Sequence, residues 1–307
     1  MAATSATDNF SLREQGGWRR TKNRIATGGM WFAFLCLLVP LGFVFVTVII
    51  KGASQISWQF LTSSKIPAPD LPPILLKLLG NHGGIGAAIL GTLEITGFAS
   101  LIAIPLGILG AVYLSEYGGN RPLARLLSFL SDVMTGVPSI VMGLFIFTVW
   151  VVPNGLNGST GLAGSFALAC LMLPVVIRSS YEMLRLVPDS LRQGSYALGA
   201  TKARVTITVV LPAAVGGIVS GALLAIARAA GETAPLLFTI GIVQSTNTNL
   251  FSGNNIALST LIFKYVLQPY PSAQNLGWGA ALTLIVLAFI LMIVARLVTA
   301  RFNRYSR

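Results

Sequence analysis

An arginine and a glutamate stand four positions apart inside the apolar run Leu224-Ala225-Ile226-Ala227-Arg228-Ala229-Ala230-Gly231-Glu232-Thr233-Ala234-Pro235-Leu236-Leu237-Phe238-Thr239. A charge at mid-helix in a membrane costs about 2.5–3.5 kcal/mol on insertion scales, so such groups turn toward the protein interior or a wet cavity. Helical spacing puts Arg228 and Glu232 on one face, and with the basic residue first the pair has its weaker orientation. A guanidinium suits an oxyanion, because its planar fork gives two parallel bonds and its charge persists at any working pH. Binding must also be weak enough for release, and Glu232 supplies that moderation by partly neutralising Arg228 or by repelling a dianion. Gly231 and Pro235 loosen the backbone here and free polar groups for a passing solute. Thr233 lies between them on the same route. The plainer reading, in which the two charges simply neutralise each other, stays open.

Other chemistries lack their residues. No nucleophile stands with a base, and no Gly-rich phosphate loop of the P-loop type is present. His82 stands alone, which removes a histidine metal cluster. Cys36 and Cys170 lie inside apolar runs without CxxC spacing and read as small buried hydrophobes.

The elements that hold these residues follow from composition. Of 307 residues, 54% are hydrophobic and 10% charged, where a soluble domain carries about 25% charged. Long apolar stretches separated by short polar ones call for lipid as solvent. The net charge of +12 does not point to nucleic acid, because the basic residues form short clusters with no aromatic-interleaved basic face. Transmembrane helices are predicted at about 27–50, 86–113, 123–152, 162–180, 213–240 and 277–299, each near the roughly 20 residues that a bilayer core requires.

Basic residues gather on one side, in the tail (Arg13, Arg19, Arg20, Lys22, Arg24), at Arg121 and Arg125, in the loop from Arg178 to Arg204, and after Arg296. The opposite side holds Lys51, Lys65, Lys77 and Lys264. The positive-inside rule makes both termini cytoplasmic and the number of crossings even. The expectation is an all-α integral membrane protein of about six transmembrane helices. It has a polar N-terminal tail 1–26, a first helix 27–50, an external loop 51–85, a core 86–299 containing five crossings and a cytoplasmic loop 181–212, and a tail 300–307. The N-terminal stretch is too long and lacks the cleavage site of a signal peptide; attraction to anionic lipid is its plain role. Segments 52–85 and 241–276 read as irregular loops with interfacial anchors Trp58, Tyr270 and Trp278, and Pro72 to Leu79 as a short surface helix. No internal repeat is visible, which disfavours a stand-alone secondary transporter.

The loop before the fifth helix reads Val187-Pro188-Asp189-Ser190-Leu191-Arg192-Gln193-Gly194-Ser195-Tyr196-Ala197-Leu198-Gly199-Ala200-Thr201-Lys202. Pro188 stops what precedes it, Asp189 can cap a new helix, and Gly199 ends that helix. A second short helix then runs from Thr201 to Leu211-Pro212. Gly194, Ser195 and Ala197 lack bulk, so another protein can approach closely. Leu191 and Leu198, seven apart, share a face that can fill a pocket. The alternative is an amphipathic helix resting on lipid headgroups.

The spacing Gln193-Gly194-Ser195, three residues, Gly199, nine residues, Val209-Val210-Leu211-Pro212 resembles the EAA loop of ABC-importer permeases. That resemblance implies a coupling helix, here Asp189 to Gly199, seated in a cleft of an ATPase subunit. Asp189, Leu191, Arg192, Gln193, Gly194, Ser195, Ala197, Leu198 and Gly199 are then the coupling residues. Gln193 stands where the pattern has glutamate, and Gly194 and Ser195 replace its alanines.

The run from Ala227 to Thr239 is similar to the fifth-helix motif of phosphate-specific transport (Pst) permeases, and Thr233-Ala234-Pro235-Leu236-Leu237 looks like the PstA-type rather than the PstC-type subunit. Ala111-Val112-Tyr113-Leu114-Ser115-Glu116-Tyr117, Gly136-Val137-Pro138-Ser139-Ile140-Val141 and Leu173-Pro174-Val175-Val176-Ile177-Arg178 agree with it. The resemblance implies the type I ABC-importer permease fold, a prokaryotic cell membrane, and phosphate as cargo with Arg228 and Glu232 on its pathway. It also implies a PstC-type second permease, two ATPase copies that carry ATP and Mg, an external phosphate-binding protein, and no cofactor or enzymatic activity in this chain. A permease for sulfate or molybdate is the alternative; a membrane enzyme or sensor would need a catalytic cluster or a sizeable soluble domain.

Glu94, in Gly91-Thr92-Leu93-Glu94-Ile95-Thr96, lies about 15 Å along its helix at 1.5 Å per residue, a depth similar to that of Arg228. It is counted with the pathway, and a contact between the two is expected; placement in interfacial water is the alternative. Asp132 is expected to cap or to pair with Arg125, and Glu116 and Tyr117 to mark a helix end at the interface.

Overall fold

The structure, a computed structural model, describes residues 17–64, 83–241, 247 and 249–303. The expected surface helix over Pro72 to Leu79 lies outside the described residues, as does most of the N-terminal tail. Among the described residues the chain is helical, without strands. It divides into two units, Met1–Ile49 and Ile50–Arg307.

Helix α1 (Gly17–Ala53) starts well before residue 27, because its basic first turns are as able to form a helix as the apolar run they lead into. Its large apolar side chains, such as Phe32, Leu37 and Phe43, are exposed, as a helix hydrophobic all round is when lipid covers it. Cys36 is exposed among them rather than buried, and Cys170 is partly covered.

In the second unit, α2 (Trp58–Thr62) is capped by Ser57, whose Oγ accepts from the Phe60 amide at 3.2 Å. Helix α3 (Gly86–Val112) continues as a π-helical turn, Tyr113–Gly118. Then come α4 (Pro122–Gly136) and α5 (Ser139–Ile146), the latter extended by the π turn Phe147–Val151. Helix α6 (Gly161–Arg185) follows, with Pro174 inside it, then α7 (Asp189–Ala197) and α8 (Lys202–Val205). The π turn Thr206–Val210 leads into α9 (Leu211–Ala230), followed by α10 (Ala234–Thr239), α11 (Leu258–Val266) and α12 (Pro271–Asn303).

Five stretches are long and apolar enough to cross a membrane, and the pair α4–α5, bent by 107°, makes a sixth when counted as one. The span expected at 123–152 is therefore broken. Val137 is extended (ψ 130°), because the ring of Pro138 excludes the helical region for the residue before it. The expected stop at Leu211-Pro212 does not occur. The π turn just before Pro212 shifts the hydrogen-bond register and absorbs its missing donor, so Lys202–Ala230 forms one span. Segment 241–276, expected to be irregular, contains α11 and the start of α12, because the residues of α11, apolar or hydroxyl-bearing except Lys264, bury one face against α3 and α12.

Lipid removes the hydrophobic drive between helices, so packing relies on close backbone approach over small residues. The main core shows this: Ile95, Ala99 and Ala103 of α3 meet Leu168, Met172 and Val176 of α6 and Ala225 and Ala229 of α9. Helices α3 and α6 run parallel, tied by Ser165 Oγ donating to the Ile95 carbonyl at 3.0 Å. At one end of this trio Ala111, Leu184, Val187, Val205 and Val210 form a second cluster beneath α7.

Candidate functional site

Helix α9 ends where Gly231 can no longer continue it, the Gly231 and Glu232 amides closing back on the Arg228 and Ala229 carbonyls at 3.1 Å each. Helix α10 restarts at Ala234 with Pro235 in its first turn, a position where a proline's missing N–H costs nothing. The expected helix 213–240 is thus two helices separated by Gly231-Glu232-Thr233. Arg228 occupies the last turn of α9 and Glu232 the break.

The two charges meet, Arg228 Nε lying 3.6 Å from Glu232 Oε1. This is an ion pair too long for a hydrogen bond. The Arg228 side chain is 68% exposed and that of Glu232 19%. Among the described residues, neither terminal nitrogen of the Arg228 fork has a protein hydrogen-bond partner. The guanidinium borders a shallow cleft, with room for about one water molecule, lined by Leu171, Met172 and Val175 of α6 and Ala225, Ala229 and Glu232. An exposed fork beside an apolar wall and a partly covered carboxylate can take an anion bidentately while holding it loosely.

The break is fixed from three sides. Ser259 Oγ of α11 donates to the Glu232 carbonyl at 2.9 Å. The Leu258 amide of the same helix donates to Thr92 Oγ1 of α3 at 2.8 Å. Gly143 of α5 lies against Pro235, where a Cβ would come within 2.5 Å of the Pro235 Cα, so only glycine fits. Thr233 is partly covered and caps α10 without a side-chain bond. Sequence reasoning missed Thr92, Ser259 and Gly143. Their signal, small and hydroxyl residues on apolar helices, is too common to single them out.

Glu94 does not pair with Arg228. Its stripe on α3, Gly91 and Phe98, faces the segment 251–256, with Phe98 and Phe251 edge to face at 6.0 Å. Arg228 instead faces α6. Similar depth did not imply contact because the two side chains leave their helices in different directions. Glu94 Oε2 is covered and without a hydrogen-bond partner. Asp132 pairs not with Arg125 but across to α6, with Arg178 at 3.2 Å, and Arg178 also holds Glu182 at 2.9 Å.

At the far end of α9, α7 stands with Leu198 90% and Leu191 47% exposed. Nothing lies within 4 Å of a Cβ built on Gly194. Gln193, Ser195 and Ala197 complete this accessible surface, none of them buried. Asp189 does not cap the helix; Pro188 holds the cap position, and the Asp189 carboxylate binds Arg192 at 3.0 Å from the first turn. Gly199, with φ +82°, ends the helix in the left-handed conformation. Arg192, expected on the docking face, turns inward toward Glu116 at 3.0 Å.

The model for binding-protein-dependent transport system inner membrane components matches residues 103–304. The chain is 42% identical over 280 residues to the phosphate transport system permease protein PstA 1 of Mycobacterium tuberculosis (strain CDC 1551 / Oshkosh), covering 91% of this chain and 89% of that protein. It is 40% identical over 292 residues to the phosphate transport system permease protein PstA of Yersinia pestis, covering 95% and 94%. Among solved structures it resembles a chain of the inward-facing MetNI methionine ABC transporter (TM-score 0.56, 20% identity, 76% of this chain and 99% of that one). It also resembles one of a bacterial alginate ABC transporter (TM-score 0.60, 14% identity, 94% and 98%). At these identities the structural matches speak for the fold alone.

Proposed function

The chain belongs to the family of binding-protein-dependent transport inner membrane components, with PstA permeases among its relatives, and from this we propose that it carries inorganic phosphate across the membrane past Arg228. It is a permease subunit of a phosphate ABC importer. The observation that carries the pathway is the exposed Arg228 fork, its terminal nitrogens without protein partners among the described residues, at the break in an apolar span. A dianion takes the fork, Glu232 keeps the attraction weak, and Thr233 offers a hydroxyl on the same route. Glu94, whose Oε2 is covered and without a hydrogen-bond partner on α3, stands away from the Arg228 cleft and has no part in this route.

In this reading α7 seats in an ATPase dimer of PstB type, which binds ATP and Mg and performs the hydrolysis, leaving this chain without catalysis or cofactor. A PstC-type permease completes the channel, and a PstS-type protein delivers phosphate from outside. The membrane in this reading is the inner membrane of a prokaryote, and the distribution of basic residues supports cytoplasmic placement of both termini.

Reconstituted with its partners in liposomes, the complex is expected to take up labelled phosphate on ATP addition and to resist competition by sulfate or molybdate. Arg228→Ala lowers uptake at least about tenfold, as loss of a charge-assisted hydrogen bond would. Unchanged uptake in an assembled Arg228→Ala complex overturns the pathway, and preferred uptake of sulfate or molybdate overturns the cargo.

A further inference from the structure

Arg192 sits at the junction of three elements. Its NH2 nitrogen donates to Glu116 Oε1 at 3.0 Å and to the Leu184 carbonyl at 2.9 Å. Its NH1 nitrogen donates to the Val187 carbonyl and to Asp189 Oδ1, the latter at 3.0 Å. Glu116, in the π turn that ends α3, also accepts from Ser115 Oγ at 3.1 Å. The Arg192 side chain is 14% exposed and that of Glu116 5%, unlike the half-exposed Arg178 pairs. The guanidinium thus joins the start of α7, the last turn of α6 and the end of α3.

A buried ion pair is weak evidence for stability, since apolar replacements are often as good, but its planar fork fixes direction. Direction matters here. By covalent connection alone, α7 hangs between Leu186-Val187-Pro188 and Gly199, the latter left-handed at φ +82°, so it could swivel without moving α3.

We propose that Arg192, held to Glu116 and to the Leu184 carbonyl, is the mechanical tie through which α7 moves α3 and α6 together, so that force on α7 reaches the α6 wall of the cleft beside Arg228. The proposal rests on the reading of α7 as the ATPase-docking helix. Arg192 is then a positioning residue that faces inward, and Glu116 is its receiver on the neighbouring helix.

The test uses the complete complex in liposomes and reads phosphate imported per ATP hydrolysed, together with ATPase retained on purification. In Glu116→Gln the ATPase stays bound and hydrolysis continues, while the import ratio falls at least about fivefold, the lower end of couplings between sites. Arg192→Lys keeps the charge without the planar fork, lowers the ratio in the same direction, and serves if Glu116→Gln does not assemble. A wild-type ratio in either assembled variant overturns the proposal. Loss of the ATPase from Glu116→Gln also overturns it, because the pair would then build the docking surface rather than transmit from it. Failure of both variants to assemble marks the pair as structural and overturns it too. Leu198→Asp, on the exposed face, tests docking separately: an ATPase still bound to that variant removes the docking reading whatever Glu116 does.

Discussion

Gly143→Ala inserts one methyl group where the structure has no room for it. The new Cβ would lie 2.5 Å from the Pro235 Cα, 3.0 Å from its oxygen and 3.2 Å from its carbonyl carbon. All three are backbone atoms, so no side chain can rotate away. Restoring an ordinary carbon–carbon separation of about 3.5 Å requires α5 and α10 to part by about 1 Å. Overpacking of this kind costs about 1–3 kcal/mol. The displaced element begins directly after Glu232 and Thr233, so the break that sets the height of the carboxylate beside Arg228 moves with it. Gly97→Ala on α3 is the control. Nothing lies within 4 Å of its Cβ, and alanine in an open helical position is favoured by about 0.5–1 kcal/mol. Thermal midpoints of the purified complex and initial rates of phosphate uptake are measured for both. Gly143→Ala is expected to lower both, and Gly97→Ala to leave uptake intact and the midpoint level or raised. Equal behaviour of the two variants would refute the argument that the α5–α10 contact positions the break.

Asn255 is almost fully buried, accepts from the Gly161 amide at 2.6 Å and donates to the Asn247 carbonyl at 3.0 Å. Asn255→Ala strands a buried N–H at the start of α6 and should cost about 1–3 kcal/mol, read as a lower thermal midpoint. Thr92→Val keeps the shape but removes the acceptor of the Leu258 amide; amide exchange at the start of α11 should quicken while the α6 core stays protected. Glu232→Gln leaves Arg228 without its opposing charge. The expected result in uptake assays is a lower KM together with a lower maximal rate, as an anion held too tightly leaves slowly.

Much of this architecture was legible in one dimension. The apolar runs gave the number of spans, and Gly199 gave the end of α7. These succeed because a helix in lipid satisfies its own backbone, so composition over about 20 residues decides whether it crosses. Arg228 and Glu232 stand out for a related reason: a charge in an apolar run is conspicuous, and a separation of four positions brings them to 3.6 Å although the helix ends between them.

Contacts between distant segments were not legible. The expected Glu94–Arg228 and Asp132–Arg125 pairs failed because depth and nearness along the chain say nothing about the side of a helix from which a side chain departs. The 107° bend at Val137-Pro138 was missed because a proline inside an apolar run is compatible with a straight span, as Pro174 in α6 demonstrates. Which outcome prevails depends on the helices packed alongside. Likewise Leu258 finds Thr92, and Arg192 finds Glu116, across 166 and 76 positions. Such bonds arise only after the helices have chosen their neighbours, and that choice is made by small-residue surfaces whose fit is a property of the assembled bundle.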